Sequence, residues 1–280
     1  MQEVVLVLGF PASGKSTLSD SFIYKGFVHI NRDKEGGTIL ELVPIFEEAL
    51  KSGKNIVLDN TFPTIESRKP FLELCKSLNV KVTCYCLITS IEDAQFNAAS
   101  RMVKKFGRLL NNEEIKKSKS PNTFPPAVLF NYRKNYQKPT FSEGFSQIIE
   151  VPFFRQKDPS YTNKAILLDF DGTLRVTKSG AKFPVDPEDI SILPNRKEVL
   201  LKAKSDGFIL LGVSNQSGVA KGDLTLEQAI KCFDKTKELL GLDIDVSFCP
   251  HSVPPISCYC RKPMPGMPVK YIEKYKLDAS

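Results

Sequence analysis

The stretch AILLDFDGTLRVT, residues 165–177, decides how the second half of the chain folds. An apolar run ends there in Asp169 and Asp171, which flank one phenylalanine. Side chains two residues apart on an extended strand share a face, so both carboxylates can reach one ligand. Such a pair suits the removal of phosphate from a substrate, although a calcium-binding or capping aspartate pair has the same spacing.

A second phosphate motif stands near the N-terminus, where GFPASGKS at residues 9–16 fits the Walker A pattern. It follows the apolar run 4–8 and opens a helical stretch, the context that separates this pattern from a chance glycine turn. Backbone N–H groups of such a loop converge on phosphate oxygens, Lys15 reaches the terminal phosphates of ATP, and Ser16 can hold Mg²⁺. The predicted ATP-binding residues are Gly9, Ala12, Ser13, Gly14, Lys15, Ser16 and Thr17.

Composition places the chain among ordinary globular proteins. It has 280 residues, 41% hydrophobic and 25% charged, which favours two domains of about 100–150 residues each. No apolar run approaches the roughly 20 residues that span a bilayer, and no basic segment precedes an apolar one at the N-terminus, so we expect no membrane anchor or signal peptide. Seven cysteines, an odd number, argue against a disulfide framework. They favour a reducing, intracellular setting, cytoplasmic or nuclear.

The order of apolar runs predicts an α/β fold in two domains. Runs at 4–8, 55–58 and 81–88 alternate with helical stretches, which is typical of a parallel sheet buried on both faces. The polar segment RQKDPSYTNK, residues 155–164, has the composition of a linker. We therefore predict domains at 1–154 and 165–280.

Basic residues concentrate between 101 and 119, where seven of them stand against two acidic residues. The net charge of the whole chain is +7. This local excess suits a polyanion or nucleotide phosphates, and it is equally typical of a solvated helix face.

Two further acids suit phosphate transfer to a hydroxyl group. Asp59 ends the strand-like run NIVLD, where a carboxylate can meet Mg²⁺ or its waters; the alternative is a helix cap. Asp33 in HINRDK follows a short apolar stretch and should lie at the carboxyl edge of the sheet, where ligands of such folds bind. It can serve as the base for the acceptor hydroxyl, or it is simply a turn aspartate.

Three runs in residues 1–154 closely resemble the kinase domain of the polynucleotide kinase/phosphatase family: GFVHINRDKEGG, GKNIVLDNTFPTIESRKPFLELCKSLNVKV and NYRKNYQKPTFSEGFSQIIEVPF. The resemblance implies that Asp33 activates a 5′-hydroxyl, that Arg32 contacts the substrate and that Asp59 is the family's strand aspartate. It also implies a basic lid, with Arg101 over the ATP phosphates. Ala99 stands where an arginine is often found, so Lys104, Lys105 or Arg108 would substitute.

LLDFDGTL resembles the signature of haloacid dehalogenase-type phosphatases, which implies a Rossmann-like second domain. In that family the first aspartate, here Asp169, attacks phosphorus, and the second, Asp171, protonates the leaving group and then activates water. Both would bind Mg²⁺. The resemblance further implies that Ser214 binds the phosphoryl group, that Lys262 neutralises charge, and that Asn215 and Arg261 contact substrate.

Cys249, His251, Cys258 and Cys260 form a compact set of potential metal ligands. Three thiolates and one imidazole are a usual closed, structural Zn²⁺ set; the alternative is four reduced side chains on a loop. The arrangement resembles the zinc loop of heptose-bisphosphate phosphatases.

The phosphatase resemblance also implies a later strand ending in glycine-aspartate. The sequence ends at KYIEKYKLDAS, about where that strand should begin. We therefore expect a second domain truncated at its C-terminus, either as a fragment or with impaired phosphatase turnover.

Together these patterns predict an enzyme that heals nucleic-acid ends, DNA or RNA. The first domain would phosphorylate 5′-hydroxyl ends with ATP, and the second would remove 3′-phosphates. One alternative is a small-molecule P-loop kinase fused to a sugar- or histidinol-phosphate phosphatase. Another is a nucleic-acid-binding repair scaffold whose second half is a degenerate interaction module.

Overall fold

A computed structural model describes residues 2–252 and 258–279 of the chain. It divides into two compact units. The first comprises residues 1–98 and 119–155, and the second comprises residues 99–118 and 156–280. The predicted domain boundaries differ from this grouping at residues 99–118, since those residues precede the linker in sequence.

The first unit is built on a parallel sheet of five strands in the order β2-β3-β1-β4-β5. The strands are β1 Val4–Leu8, β2 Val28–Ile30, β3 Ile56–Asp59, β4 Val82–Ile88 and β5 Gln147–Pro152. Val7 pairs with Asp59, and Ile30 pairs with Leu58, so β1, β2 and β3 end at the same edge. That edge is where the sequence expectation put the predicted acids.

Helices connect these strands. They are α1 Lys15–Tyr24, α2 Arg32–Glu35, α3 Val43–Lys51, α4 Ile65–Ser77, α5 Ile91–Phe106, α6 Asn112–Ser118 and α7 Ala127–Asn135. Helix α4 begins at a capping box, in which Thr64 Oγ1 accepts from the backbone N–H of Ser67 and the Ser67 hydroxyl faces the N–H of Thr64. The helix therefore starts at a defined residue.

The central strands β1 and β3 of the first unit are buried on both faces, whereas the edge strand β5 is largely exposed. All five residues of β1 are buried, which explains its uninterrupted apolar run. Phe46 and Phe71 pack edge to face on one side, with ring centroids 5.2 Å apart, and Phe22 packs on the other side. Each such aromatic side chain contributes about 1.5–3 kcal/mol by its burial. The rigid sheet fixes the loops at its edge.

A buried ion pair between Arg68 and Glu143 joins two distant segments of the first unit. The Arg68 side chain is fully buried, and its guanidinium donates in bidentate fashion to Glu143 at 2.7 and 2.9 Å. Arg68 also donates to the carbonyls of Phe62 and Gln137, at 3.0 and 3.1 Å. Because both partners are desolvated, removing either one would leave a buried charge without compensation.

The second unit contains a parallel sheet of three strands in the order β10-β9-β6 and an antiparallel pair, β7 with β8. The strands are β6 Ala165–Leu168, β7 Arg175–Thr177, β8 Ile190–Ile192, β9 Ile209–Asn215 and β10 Asp245–Cys249. The helices are α8 Arg196–Ser205, α9 Ser217–Lys221, α10 Leu226–Leu240 and α11 Gly266–Tyr275. Phe170, Phe233 and Phe248 pack together in the core of this unit. Phe170 belongs to the signature loop, residues 169–174, which follows β6.

The predicted fold class is confirmed: both main sheets are parallel and alternate with helices. The pair β7–β8 and the short helix α9 are additional, because three- and five-residue elements leave no readable period in the sequence. Every helix in the described part of the chain is too short or too polar to traverse a lipid bilayer.

Candidate functional site

The loop between β1 and α1 has the backbone of an anion-binding loop. Gly9 adopts φ 156°, and a Cβ there would lie 3.0 Å from Ser13 Oγ and 3.1 Å from Leu87 Cβ, so only glycine fits. Gly14 lies in the left-handed region at the start of α1, and no side chain of the described residues caps this helix end. The N-terminus of α1 is therefore a place where backbone N–H groups can bind an anion.

Lys15 already lies over this loop. Its Nζ donates to the carbonyl of Phe10 at 2.7 Å and to that of Gly9 at 3.2 Å. The ammonium group is thus held where the strand passes into the loop. A phosphate bound at the N-terminus of α1 would compete with those two carbonyls for it.

The side chain of Asn31 links the backbone at Asp33 to the backbone at Asp59, the two predicted acids of the first unit. Its Nδ2 donates to the carbonyl of Asp59 at 2.6 Å, and its Oδ1 accepts from the N–H of Asp33 at 2.7 Å. The N–H of Arg32 donates to Asn60 Oδ1 at 3.2 Å. Asp33 therefore follows β2 directly beside the end of β3. It remains exposed, with Oδ1 3.3 Å from Arg32 Nη2.

Asp59 differs from Asp33 in its burial. It is 1% exposed, and within the described residues neither carboxylate oxygen has a hydrogen-bond partner. His29 Nε2 lies 3.6 Å from Oδ2, beyond hydrogen-bond distance. A buried carboxylate without donors is costly unless a cation or water completes it, so Asp59 fits the predicted Mg²⁺ role. Sequence reasoning missed His29, whose signal was a titratable residue inside the apolar run VHI.

The predicted lid residues lie on α5 and beyond it. Arg101 is exposed on α5, and its contact with ATP stays a prediction. Ala99 is fully buried. Of the proposed substitutes, Arg108 is bound in bidentate fashion by Glu114, at 2.9 and 2.7 Å, and this pair lowers the pKa of Glu114 to about 2. Arg108 would have to leave Glu114 before it could bind phosphate.

The second unit brings the predicted nucleophile, Asp169, into contact with Lys262. Asp169 follows the end of β6, and its Oδ1 accepts from Lys262 Nζ at 2.6 Å. The same ammonium donates to the carbonyl of Val213 at 2.9 Å. Asn215 fixes the lysine backbone in both directions, accepting from the N–H of Lys262 at 3.0 Å and donating to its carbonyl at 3.2 Å. Asn215 thus supports Lys262 from the end of β9.

Both oxygens of Asp171 are held. Arg175 Nε donates to Oδ1 at 2.8 Å, and Gln216 Nε2 donates to Oδ2 at 2.9 Å. Gln216 Nε2 also lies 2.9 Å from the hydroxyl of Ser214, which is buried. One amide therefore links the predicted acid to the predicted phosphoryl-binding hydroxyl.

Arg175 is the unexpected member of this site. Its side chain is 1% exposed, and Nη1 donates to the carbonyl of Cys232 at 2.6 Å and to Thr236 Oγ1 at 2.9 Å. Its guanidinium carbon lies 4.9 Å from the centre of the Phe233 ring. Sequence reasoning missed both Arg175 and Gln216. The first stands four residues after Asp171, and the second directly follows Asn215.

The four potential metal ligands converge. His251 Nδ1 lies 3.4 Å from Cys249 Sγ and 3.3 Å from Cys260 Sγ, Cys249 Sγ lies 3.6 Å from Cys258 Sγ, and all four ligand atoms fall within 4.8 Å of one another. A tetrahedral Zn²⁺ with ligands at about 2.0–2.3 Å requires separations of roughly 3.5–3.8 Å. The set therefore fits zinc.

Arg261 lies beside this cluster. Its Nη1 donates to the carbonyl of His251 at 3.2 Å. The predicted substrate contact of Arg261 stays a prediction, since this hydrogen bond ties the guanidinium to the metal-ligand loop. The next residue, Lys262, carries the contact with Asp169. The cluster thus stands directly beside the phosphate site.

Two family models match the chain. The model described as AAA domain matches residues 4–120, and the model described as Polynucleotide kinase 3 phosphatase matches residues 164–280. The first match contains the Walker A loop, Asp33 and Asp59. The second contains the signature loop, Lys262 and the Cys/His cluster. Each match thus covers one of the two sites described above.

Individual relatives agree with these matches. A bifunctional polynucleotide phosphatase/kinase of Schizosaccharomyces pombe is 35% identical over 159 residues, which cover 56% of this chain and 35% of that protein. A probable D-glycero-D-manno-heptose-1,7-bisphosphate 7-phosphatase of Thermoplasma volcanium is 35% identical over 120 residues, covering 41% of this chain and 79% of that protein. The chain therefore matches about a third of the length of its bifunctional relative.

Among solved structures, one chain of the Pnkp1/Rnl/Hen1 RNA repair complex aligns with this protein. The alignment covers 98% of this protein and 85% of the matched chain. The sequence identity is 16% and the TM-score is 0.33. This likeness is too distant to carry an argument about activity.

Proposed function

We propose that the chain belongs to the polynucleotide kinase/phosphatase family, as its motifs predicted, and that it repairs nucleic-acid ends by two reactions. Residues 1–154 would phosphorylate 5′-hydroxyl ends with ATP, residues 165–280 would remove 3′-phosphates, and 155–164 would link them. The observation that carries the proposal is the presence of two phosphate sites of opposite chemistry on one chain. A strand break that leaves phosphate on the wrong side needs both before it can be joined.

In the kinase reaction, ATP phosphates would bind the N–H groups at the start of α1, with Lys15 moving from the Gly9 and Phe10 carbonyls to the phosphates. Asp33 is exposed at the strand edge, where an acceptor hydroxyl can reach it, and would take the hydroxyl proton. Arg32, beside it, would contact the polynucleotide. The hydroxyl oxygen then attacks the terminal phosphorus, and ADP leaves.

In the phosphatase reaction, a carboxylate oxygen of Asp169 would attack phosphorus while Asp171 gives a proton to the leaving 3′-oxygen. Asp171 then takes a proton from water, which hydrolyses the aspartyl-phosphate and restores the free enzyme. Ser214 and Lys262 would hold the phosphoryl oxygens. The contact of Lys262 with Asp169 supports this assignment, because one cation neutralises nucleophile and phosphate together.

The residues present fit two kinds of metal. Ser16 and Asp59 in the first unit, and Asp169 and Asp171 in the second, offer the oxygen ligands that Mg²⁺ prefers, and Mg²⁺ supplies neutralisation of phosphate charge when bound. Cys249, His251, Cys258 and Cys260 would hold a structural Zn²⁺ beside Lys262. All seven cysteines are free, which fits a reducing compartment, cytoplasmic or nuclear.

One observation favours a second candidate function. The heptose-bisphosphate phosphatase relative is matched over 79% of its own length, against 35% for the bifunctional relative. A small-molecule phosphatase joined to a small-molecule kinase therefore stays a competing proposal.

Radiolabelled ATP and a 5′-hydroxyl oligonucleotide separate the two candidates. We expect label transfer to the oligonucleotide that is lost in Lys15→Ala and in Asp33→Ala, and release of phosphate from a 3′-phosphorylated oligonucleotide that is lost in Asp169→Asn. Heptose 1,7-bisphosphate is the matched alternative substrate. The second proposal would replace the first if the chain hydrolysed this sugar bisphosphate but neither transferred label from ATP to an oligonucleotide nor released phosphate from one.

A further inference from the structure

The first turns of α5 contact the back of the Walker A loop. Asn97 Nδ2 donates to the carbonyl of Ala12 at 2.9 Å, across 85 residues of sequence. Ala12 is buried and adopts φ 62°, the left-handed conformation that costs a residue with a side chain about 1–2 kcal/mol. The loop therefore holds a conformation that Ala12 would not adopt without support from its surroundings.

A second contact follows at the next residue of the loop. Thr89, between β4 and α5, lies with its hydroxyl 3.3 Å from the carbonyl of Ser13. Two successive loop carbonyls, of Ala12 and Ser13, are thus bound by side chains from one segment. Because carbonyl oxygens repel phosphate oxygens, holding these carbonyls against that segment keeps them away from a bound nucleotide.

Arg155 fixes which end of the Asn97 amide meets Ala12. Its Nη1 donates to Asn97 Oδ1 at 2.7 Å, and its Nη2 donates to Asp93 Oδ1 at 2.7 Å. A guanidinium can only donate, so the amide must turn its oxygen towards Arg155 and its NH₂ towards the Ala12 carbonyl.

The guanidinium is itself held in place. Its carbon lies 3.8 Å from the centre of the Phe96 ring, a cation–π contact, and Asp93 is bound by the hydroxyl of Ser90 at 2.7 Å. Arg155 follows β5 as the last residue of the first unit. Arg155 is therefore linked to the Walker A loop through Asn97.

We propose that Asn97 and Arg155 are positioning residues for ATP: they hold the Walker A loop in its phosphate-binding conformation before the nucleotide arrives. This rests on the proposed ATP-dependent kinase activity. Neither residue needs to touch the nucleotide. Their effect should fall on ATP affinity, because the loop would otherwise have to be ordered at the expense of binding.

Asn97→Asp separates the two contacts of Asn97. The carboxylate still accepts from Arg155 but has no hydrogen to donate to Ala12, and it places an oxygen against the carbonyl. We expect ATP to bind about tenfold more weakly, the effect of one lost hydrogen bond in a partly buried site. Arg155→Lys, which can hold Asp93 but not both partners, should weaken ATP binding about threefold.

The measurement is titration calorimetry with ATP and Mg²⁺ on the full chain. Asn135→Asp on α7, an exposed asparagine bonded to the Asn131 carbonyl at 2.9 Å, is the matched control and should bind ATP like wild type. In steady state, the KM for ATP should rise in Asn97→Asp while the KM for the oligonucleotide stays unchanged. A purely structural role would not give that split.

Thermal unfolding identifies variants that fail to fold; should Asn97→Asp be one, Arg155→Lys carries the test. Folded variants that bind ATP as tightly as wild type would overturn the proposal and leave the kinase function standing. Absence of ATP binding by the wild-type chain would overturn the kinase function, and this inference with it.

Discussion

The two phosphate sites meet their ligand with different groups. The Walker A loop offers backbone N–H groups and one lysine, which donates to carbonyls of its own loop. The predicted site of the second unit offers side-chain charges that are already paired, Lys262 with Asp169 and Arg175 with Asp171. The first site therefore depends on backbone conformation, and the second depends on a network of charges.

This difference predicts how each site responds to mutation. A backbone site loses affinity when its supports are removed, but it keeps its N–H groups whichever side chain is changed. A charge network loses function as soon as one member changes, because each remaining partner is left without compensation. Substitutions that leave the other unit unaffected test the contrast directly.

Asp169→Asn should have the largest effect. The amide cannot attack phosphorus, so we expect release of phosphate from a 3′-phosphorylated oligonucleotide to fall by about 10⁴-fold or more. Kinase activity, measured on the same preparation with labelled ATP, should stay within twofold of wild type. A phosphatase rate within tenfold of wild type would show that Asp169 is not the nucleophile.

Lys15→Ala should have the next largest effect, in the opposite unit. Loss of one cation from the transition state of phosphoryl transfer costs on the order of 10²–10³-fold in rate. The N–H groups of α1 remain, so the loss should be smaller than for Asp169→Asn, and phosphate release should not change. The kinase rate with saturating ATP is the measurement, and an unchanged rate would contradict the role of Lys15.

The sequence predicts a site well where the residues that form it lie close together in the sequence. The Walker A loop is eight consecutive residues between a buried strand and a helix, so its spacing alone places Gly9, Lys15 and Ser16. Asp169 and Asp171 follow a short apolar strand in the same way. Asp33 and Asp59 were predictable because parallel strands end at a common edge.

The supports of these residues were not predictable. Asn97 acts across 85 residues, Gln216 reaches Asp171 across 45, and Arg175 contacts Thr236 across 61. No spacing rule connects positions so far apart, because tertiary packing decides which side chains meet. Arg175 also contacts Asp171, only four residues earlier. That contact was not predictable either, because it depends on the backbone of a tight loop that the sequence does not reveal.

Cys258→Ser tests whether the metal-ligand loop belongs to the charge network. A serine hydroxyl is a poor Zn²⁺ ligand, so we expect loss of stoichiometric zinc and a fall in phosphate release of about 30-fold, since Lys262 lies two residues from Cys260. Zinc content by atomic absorption and the phosphatase rate are the two readouts. Cys75→Ser, at a buried free cysteine of the first unit, is the matched control and should retain zinc.

Full zinc content in Cys258→Ser would contradict the ligand assignment. Loss of zinc with unchanged phosphate release would instead separate the loop from the site. A Zn²⁺-selective chelator, added to wild type in the presence of excess Mg²⁺, should reproduce the variant in the phosphatase assay and leave ATP binding unchanged.

Arg175→Met should have the smallest effect on rate and the most specific one. Methionine fills similar space beside Phe170 and Phe233 but loses the cation–π contacts and frees one oxygen of Asp171, so we expect phosphate release from the oligonucleotide to fall about tenfold. The lost buried contacts should also lower the free energy of unfolding by about 1–3 kcal/mol, less than for a fully buried pair because Asp171 is 22% exposed.

The leaving group distinguishes positioning of Asp171 from general damage. p-Nitrophenolate leaves without a proton, so Arg175→Met should release the first equivalent of p-nitrophenolate from p-nitrophenyl phosphate, in a pre-steady-state burst, at nearly the wild-type rate. Formation of the aspartyl-phosphate from the 3′-phosphorylated oligonucleotide requires the proton of Asp171 and should be slowed. Arg133→Met, an exposed arginine of α7, should change neither rate. An equal loss on both substrates would mean that Arg175 stabilises the unit without orienting the acid. The sensitivity of the second site would then arise from packing rather than from its charge network.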